Sequence, residues 1–286
     1  MKDKPLLDRV CIVTGATSGI GKATALALAG LGASLVVVGR DAEKCATTVD
    51  YVQLETGSEH VEFIVADLSS QQEIRRLAKE FTSRHKQLAV LVNNAGASYG
   101  KRRESVDGIE MTFALNHLGC FLLTNLLLDT LKASAPSRII NVSSDVHREV
   151  SLDFDDLQAS GRFNGYEAYK KSKLANVLFT YELARRLDGT GVTANAVAPG
   201  LAKSSLGLQD GGISALVKRV INVLMGVSSE EAAQTSIYAA SAPELAGVSG
   251  KYFVKMKEVP SSAASYDEAA AVRLWQISAD LTALSA

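Results

Sequence analysis

A tyrosine and a lysine four residues apart carry the most specific chemistry in this chain. Tyr169 and Lys173 stand in the segment Tyr-Lys-Lys-Ser-Lys, and residues spaced i and i+4 share one face of a helix. A free phenol has a pKa of about 10, and a nearby ammonium group favours the phenolate and lowers that pKa. Such a tyrosine can give a proton to a carbonyl oxygen or take one from an alcohol. The hydroxyl of Ser144, at the end of a predicted strand, could hold the same oxygen as charge develops on it.

Spacing alone leaves two alternatives open around this pair. A second tyrosine and lysine, Tyr166 and Lys170, have the same separation in the same segment. Ser143 directly precedes the serine named above, and side chains alternate between the two faces of a strand. Only one of the two serines can therefore face the site.

A glycine-rich turn near the start of the chain is the second feature with a chemical use. The apolar run Val10–Thr14 is followed by Gly15, Gly19 and Gly21 and then by a helical pattern. Glycines let the backbone approach a pyrophosphate, and the first turn of the next helix offers unpaired N–H groups to the anion. The strand before and the helix after favour a dinucleotide site over an ordinary turn. The other residues expected to line this loop are Thr17, Ser18 and Ile20.

A basic residue follows the second predicted strand, where the adenosine ribose is expected. A carboxylate there would accept hydrogen bonds from a 2′-hydroxyl, whereas a guanidinium suits a 2′-phosphate. Arg40 occupies this position and Lys44 is close in sequence. The pattern favours NADP(H) over NAD(H), and the plainer interpretation is a solvated charge after a strand.

Two further strand ends carry residues suited to a cofactor. Asp67, before Leu68, could accept from an adenine amino group or cap the helix predicted near Gln71. Asn94, Ala95 and Gly96 follow the fourth strand, and their small size would let the backbone run close to the cofactor. The asparagine side chain would lock that turn.

Apolar strand-like runs alternate with helical patterns along the 286 residues. This order predicts an α/β fold, a Rossmann-type doubly wound parallel sheet with helices on both faces in a single domain spanning 1–286. Ligands of such sheets lie beyond the carboxyl ends of the strands, where every residue above falls. The predicted strands are Val10–Thr14, Leu35–Val38, Val61–Val65, Ala89–Val92, Arg138–Val142, Val192–Val197 and Gly250–Phe253. The predicted helices are Lys22–Leu31, Ala42–Leu54, Gln71–His85, 108–132 and 169–187.

Composition excludes several kinds of partner. The net charge is −1, from 30 basic and 31 acidic residues, which gives no electrostatic case for nucleic acid or an anionic membrane.

Three scattered cysteines indicate a reducing compartment, and Cys11 and Cys120 are expected to be buried. The four histidines show no metal-ligand spacing, so no metal is expected. The N-terminus predicts neither a signal peptide nor a transmembrane anchor, and the apolar run 120–131 is too short to span a bilayer. A cytoplasmic protein is expected.

Together, these motifs resemble the short-chain dehydrogenase/reductase family over nearly the whole chain. The resemblance implies that Tyr169 is the general acid/base and that Lys173 binds the nicotinamide ribose and depresses the tyrosine pKa. The family's Tyr-x-x-Ser-Lys form, with Ser172 before the lysine, selects this pair over the alternative, and alignment of the strand end favours Ser144. Asn116 would hold a water linking Lys173 to solvent. The nicotinamide would be bracketed by Pro199 and Gly200, with Ser204 where the family usually has threonine.

Several segments resemble the retinol dehydrogenase-like branch of that family. They are Leu115–Gly119, Asp153–Leu157, Ser172–Phe179 and Arg273–Ser278. In this sequence His117 and His147 are expected to pack or support the site rather than to catalyse, because the tyrosine and lysine supply the proton chemistry. The helix from Gly108 and the helix holding Tyr169 are, by resemblance, dimer surfaces, which would give a homodimer or homotetramer; the apolar run Leu122–Leu128 permits this.

A substrate lid is predicted at 201–227. Apolar residues recur there at helical spacing, from Ile213 to Leu224, and the family places a mobile lid after Pro199–Gly200. An amphipathic surface helix is an equally good interpretation, and docking to a membrane surface is a weaker one. A lid would imply an apolar pocket and a lipophilic carbonyl or alcohol substrate.

The sequence as a whole predicts an NADP(H)-dependent oxidoreductase that interconverts an alcohol and a ketone or aldehyde. Two alternatives remain at this point: an epimerase or dehydratase on the same fold, and a protein that binds NADP(H) as a sensor or scaffold without turnover. The presence of Asn116, Ser144, Tyr169 and Lys173 together argues against a module that only binds.

Overall fold

The computed structural model describes residues 4–199 and 228–284. Their strands form one eight-stranded sheet in the order β3-β2-β1-β4-β5-β6-β7-β8, in which β8 is antiparallel to β7 and every other pair is parallel. The predicted α/β class and parallel Rossmann-type sheet are confirmed. The strands are β1 (Val10–Thr14), β2 (Ser34–Gly39), β3 (Val61–Val65), β4 (Val90–Asn93), β5 (Ser137–Val142), β6 (Val192–Ala198), β7 (Tyr252–Val254) and β8 (Lys257–Glu258).

Helices cover both faces of this sheet. One face packs on α1 (Gly19–Gly30), α2 (Ala42–Thr56) and α7 (Ser229–Ser241), and the other on α3 (Gln71–Arg84), α5 (Gly119–Ala133) and α6 (Gly165–Arg186). The central strands are buried on both faces, which explains why their sequences are continuous apolar runs rather than alternating ones. Cys11 and Cys120 are buried among them, as predicted.

The chain leaves β1 in one direction to β2 and returns on its other side to β4. The carboxyl ends of β1 and β4 thus form the switch point of the sheet, where an open α/β sheet has its ligand crevice. The glycine turn follows β1 and the Asn94–Gly96 segment follows β4.

Side-chain caps set where several helices begin. Asn164 accepts from the backbone N–H groups of Tyr166 and Glu167 at 3.0 and 3.2 Å and starts α6, four residues earlier than predicted. The cap of α3 is Ser70, so the interpretation of Asp67 as that cap is wrong. The Asp67 carboxylate instead accepts from the Ser69 backbone and hydroxyl groups.

The helical segment predicted at 108–132 is interrupted. A short turn, α4 (Met111–Phe113), passes through a π-helical turn at Ala114–Leu118 into α5. Within the described residues, Met111–Ala133 is long and apolar enough to cross a membrane by length and composition. However, 72% of its apolar window is buried inside the protein, so these side chains pack in the core.

A helix that was not predicted ends the described chain and changes the expectation of dimer surfaces. This helix, α8 (Glu268–Leu281), lies across α5 and α6, and its Trp275 ring packs on Phe121 and Phe179 at centroid distances of 5.1 and 5.7 Å. It therefore covers part of α5 and α6, the helices expected by resemblance to be dimer surfaces. Most of the run Leu122–Leu128 is also buried inside the protein rather than displayed for a partner.

Candidate active site

The glycine turn after β1 is built for close approach of backbone to backbone. Gly15 and Gly19 have φ values of +63° and +52°, in the left-handed region that favours glycine. A Cβ on Gly15 would lie 2.8 Å from the Ala95 Cα, and one on Gly21 would overlap the Gly15 carbonyl. Ser18 precedes α1 without capping it through its side chain. The first N–H groups of α1 are thus available to an anion, and this arrangement fits a dinucleotide pyrophosphate.

Thr14 and Asn94 lock the two strand ends of the switch point together. The Thr14 hydroxyl accepts from the backbone N–H groups of Asn94 and Ala95 at 2.9 and 3.0 Å. The Asn94 amide donates to the Thr14 carbonyl at 2.8 Å, as expected of a side chain that fixes this turn. Thr14 was not singled out from the sequence; its place as the last residue of a buried strand was the available signal.

Arg40 follows β2 at the exposed rim of the crevice. Lys44 forms an ion pair with Asp41 at 3.5 Å, and Asp41 caps α2. Burial raises the pKa of Tyr99, and the neighbouring Arg40 guanidinium opposes that change. Tyr99 is therefore a neighbour of Arg40 that the sequence did not reveal.

Ser144 and Tyr169 come together at the carboxyl end of β5. Ser144 follows β5 and starts a 3-10 turn, and its side chain is close enough to the Tyr169 hydroxyl to lower the pKa of that phenol. Tyr169 and Lys173 lie on one face of α6, with the Lys173 Nζ 5.5 Å from the centre of the tyrosine ring. The Lys173 ammonium donates to the Val142 carbonyl at 3.0 Å and is 4% exposed.

Burial dominates the titration of both groups. It raises the pKa of Tyr169 above that of a free phenol, and the neighbouring Ser144 hydroxyl opposes the rise. The pKa of Lys173 is lowered to about 8, again because burial disfavours the charged form. Burial thus shifts the Tyr169 pKa in the direction opposite to the depression expected from Lys173, whose Nζ lies 5.5 Å from the centre of the ring.

The alternative residues have different surroundings. Tyr166 is 48% exposed, and Lys170 pairs with Glu167 and Glu149 at 2.6 and 3.3 Å. Ser143 donates its hydroxyl to the Lys173 carbonyl at 2.8 Å, turned away from the tyrosine hydroxyl. The geometry thus favours Tyr169, Lys173 and Ser144 over the alternatives that spacing left open.

Asn116 lies in the π-helical turn next to this group. Its side chain forms two bonds with the Ala97 backbone, at 2.8 and 2.9 Å, and donates to Ser172 at 2.9 Å. A Cβ on Gly96 would lie 3.2 Å from the Asn116 Oδ1 and 3.4 Å from the Lys173 Nζ. Gly96 therefore keeps open the space between these two groups. That space suits the water expected there, although the Asn116 side chain is committed to the backbone and only its Oδ1 faces the space.

Pro199 ends the first described range, directly after β6. Gly200, Ser204 and the lid predicted at 201–227 lie outside the described residues. Leu68 is buried and its carbonyl lies against α5, where a Cβ on Gly119 would overlap it.

The fold and this edge of the sheet define a class: a Rossmann-type protein with a dinucleotide crevice beside a serine, tyrosine and lysine cluster. The model of the protein family described as "short chain dehydrogenase" matches residues 9–210 of this chain. The chain belongs to the short-chain dehydrogenase family.

Relatives within that family place the chain in the retinol dehydrogenase-like branch. Human retinol dehydrogenase 13 is 47% identical over 97% of this chain and 86% of its own length. Human polyprenol dehydrogenase is 42% identical over the same two shares. A solved structure titled as a Pseudomonas aeruginosa RhlG/NADP active-site complex has a TM-score of 0.69 and 31% identity, covering 89% of this chain and 97% of that one. The protein is thus an oxidoreductase acting on alcohol and carbonyl groups.

Proposed function

We propose that this protein interconverts a lipophilic alcohol and its ketone or aldehyde with NADP(H), using Tyr169 as the proton donor and acceptor. The observation that carries the proposal is the placement of Tyr169 and Lys173 on one face of α6, with the Lys173 Nζ 5.5 Å from the centre of the tyrosine ring. Ser144 lies beside Tyr169, at the edge of the sheet that holds the glycine turn. A binding protein without turnover has no need of this cluster.

In the reducing direction, Ser144 and Tyr169 both address the carbonyl oxygen of the substrate. A reduced nicotinamide dinucleotide held at the glycine turn and the Asn94–Gly96 segment would supply the hydride to the carbonyl carbon. Tyr169 gives its phenolic proton to the oxygen as the negative charge develops, and Ser144 donates a hydrogen bond to the same oxygen. The raised pKa of Tyr169 keeps the phenol protonated at neutral pH, which is the form that this step uses.

Lys173 and Asn116 serve the return of the proton. Lys173 in its charged form stabilises the tyrosinate left by the transfer and is close enough to the Gly96 space to pass a proton through water. In the oxidising direction the same groups run in reverse, with the tyrosinate taking the alcohol proton.

Two features support the finer parts of the proposal. Arg40 at the ribose end of the crevice suits a 2′-phosphate, and RhlG is a relative whose structure is titled with NADP. Retinol and polyprenol, in the names of two relatives, are lipophilic alcohols.

The direct test is nicotinamide absorbance with a panel of aldehydes and ketones of increasing apolar length. We expect oxidation of NADPH, with kcat/KM rising with chain length. Tight binding of NADPH without oxidation across the panel would contradict the proposal and favour a sensor. A preference for small charged carbonyls would contradict the lipophilic part alone.

The cofactor preference has its own test in Arg40→Asp. A carboxylate would repel a 2′-phosphate and accept from a 2′-hydroxyl, so we expect the NADPH:NADH ratio of kcat/KM to fall by about 100-fold or more. Lys44→Asp is the matched control, because Lys44 is paired with Asp41 and should change the ratio far less. An unchanged ratio in the Arg40 variant would remove the basis for preferring NADP(H).

A further inference from the structure

Two buried histidines stand beside the candidate catalytic residues, and both contact the C-terminal segment 260–284. His147 lies three residues after Ser144, and His117 directly follows Asn116. Each imidazole has both ring nitrogens within hydrogen-bond distance of a partner. The reaction outlined above uses neither ring, so their position calls for another explanation.

The partners of His147 allow one protonation state. Its Nδ1 lies 2.7 Å from the Ser144 carbonyl, which can only accept, so Nδ1 must carry a hydrogen. Its Nε2 lies 3.1 Å from the Ser262 backbone nitrogen, which can only donate, so Nε2 must be bare. The ring is fully buried and packs edge-on against Tyr252 at a centroid distance of 5.0 Å. A neutral Nδ1–H imidazole therefore joins the Ser144 backbone to the C-terminal segment.

His117 makes a similar connection to Asn116 through an intermediary. Its Nε2 lies 2.9 Å from the Ser278 hydroxyl on α8, and its Nδ1 lies 3.3 Å from the Asn176 Oδ1. The Asn176 amide donates to the Asn116 carbonyl at 2.9 Å. This carbonyl is in the π-helical turn, where the ordinary helical register is broken. All four side chains are buried.

We propose that His147 and His117 are positioning residues that hold the backbones of Ser144 and Asn116 against the C-terminal segment. The inference rests on the proposed function for the roles of Ser144 and Asn116, while the connections themselves stand on the contacts. The proposed reaction needs the Ser144 hydroxyl beside the Tyr169 hydroxyl, and a shift of the Ser144 backbone moves its hydroxyl away. Misplacement of a reacting group by about 1 Å can cost about 100-fold in rate. A side chain that fixes the Ser144 backbone therefore affects the rate of the reaction.

The first test needs no activity. The ¹⁵N shifts of the imidazole rings in the full-length, histidine-labelled protein distinguish the Nδ1–H from the Nε2–H tautomer, and the signal lost in His147→Asn assigns the residue. We expect His147 to be a neutral Nδ1–H tautomer at pH 7. An Nε2–H tautomer, or rapid exchange between the two tautomers, would overturn the proposed positioning role of His147.

The second test separates positioning from folding. His147→Phe keeps a packed ring but loses both hydrogen bonds, and we expect kcat to fall about tenfold or more while the dissociation constant for NADPH stays unchanged. His147→Asn places an amide near the Nδ1 position and should recover most of kcat. The matched control is His60→Phe, at an exposed histidine remote from the site. A His147→Phe enzyme with lower thermal stability and wild-type kcat would overturn the proposal.

The His117 connection is tested from α8. Ser278→Ala removes the partner of the His117 Nε2, and we expect a lower kcat with unchanged NADPH binding. The matched control is Gln276→Ala, because the Gln276 side chain donates to Asp280 within α8; this variant should leave kcat unchanged. Equal effects of both variants would overturn this arm. If the wild-type protein reduces no carbonyl at all, the proposed function fails. The tautomer measurement still tests whether His147 holds the Ser144 backbone against the C-terminal segment.

Discussion

Tyr169 and Tyr166 have the same spacing to a lysine but different surroundings in the folded chain. Both tyrosines precede a lysine by four residues, yet Lys170 is held by two carboxylates and Lys173 by a single backbone carbonyl. Three residues at about 100° each return to within about 60° of the same direction, so Tyr166 lies nearly one turn before Tyr169 on α6. There, at the start of the helix, its side chain is 48% exposed. The neighbours of each lysine, rather than the spacing, determine which pair can do proton chemistry.

The pH dependence of carbonyl reduction should follow Lys173. With its pKa lowered to about 8, Lys173 is charged below that pH and becomes neutral as the pH rises through it. The tyrosinate left by proton transfer then loses its counter-ion, so we expect kcat at saturating NADPH to fall above pH 8.

The control for this prediction is Lys173→Arg. Arginine stays charged throughout the accessible range, so its residual activity should show no decline near pH 8. A wild-type rate that is level up to pH 10 would contradict the assigned role of Lys173.

At the level of residues, much of the site was predictable because chemistry constrains residue types at strand ends. The glycines, Arg40 and the Tyr169–Lys173 pair are visible as types and spacings. The commitment of the Asn116 side chain to the Ala97 backbone was not, since the two are 19 residues apart and only the folded crevice joins them. The direction of the Tyr169 pKa shift was also missed, because desolvation depends on burial that a sequence does not display.

Among the helices and strands, α6 is positioned by a close backbone contact at its first residue. It begins at Gly165, where a Cβ would overlap the Tyr99 carbonyl of the loop after β4. This contact brings the start of the tyrosine helix directly onto the cofactor-side loop, so the helix cannot shift outward without opening the crevice.

The change Gly165→Ala should therefore lower both stability and activity. Overpacking of this kind costs about 1–3 kcal/mol, measurable as a lower urea midpoint, and kcat should fall as α6 moves away from Ser144. Gly161→Ala is the matched control, because the nearest atom to its added Cβ is the Asp156 Oδ2 at 3.8 Å. Equal stability of the two variants would show that the contact yields at little cost.

Strands were easier to predict than helices in this chain. Continuous apolar runs bounded by glycine and polar residues placed β1 to β7 within a few residues. The π-helical turn was not predictable, since the bond from Asn176 to the Asn116 carbonyl joins residues 60 positions apart. Helix α8 was overlooked although most of its residues are apolar, and β8 was overlooked because its two residues are exposed.

For the whole molecule, the covered faces of α5 and α6 bear on assembly. Gln71 on α3 donates to the Leu281 carbonyl at 2.8 Å, and the Arg186 guanidinium lies 4.1 Å from the centre of the Trp275 ring. These contacts, with the aromatic packing of Trp275, hold α8 against α3, α5 and α6. An apolar helix face that is already covered gives a partner little area to bury.

We therefore expect no dimer through α5 and α6. Sedimentation velocity at micromolar protein should give a monomer, or an assembly whose hydrogen-exchange protection lies on other surfaces. A dimer that protects α5 and α6 on association would show that α8 leaves its position in solution.

The measurement that bears most directly on the central claim is single-turnover reduction of a lipophilic aldehyde by Tyr169→Phe, with Tyr166→Phe as its matched partner. We expect the Tyr169 variant to bind NADPH normally and to lose nearly all hydride transfer, since the substitution removes the phenol that is proposed to protonate the oxygen. The Tyr166 variant should retain the wild-type rate. Near-normal hydride transfer in the Tyr169 variant, with loss in the Tyr166 variant, would contradict the account.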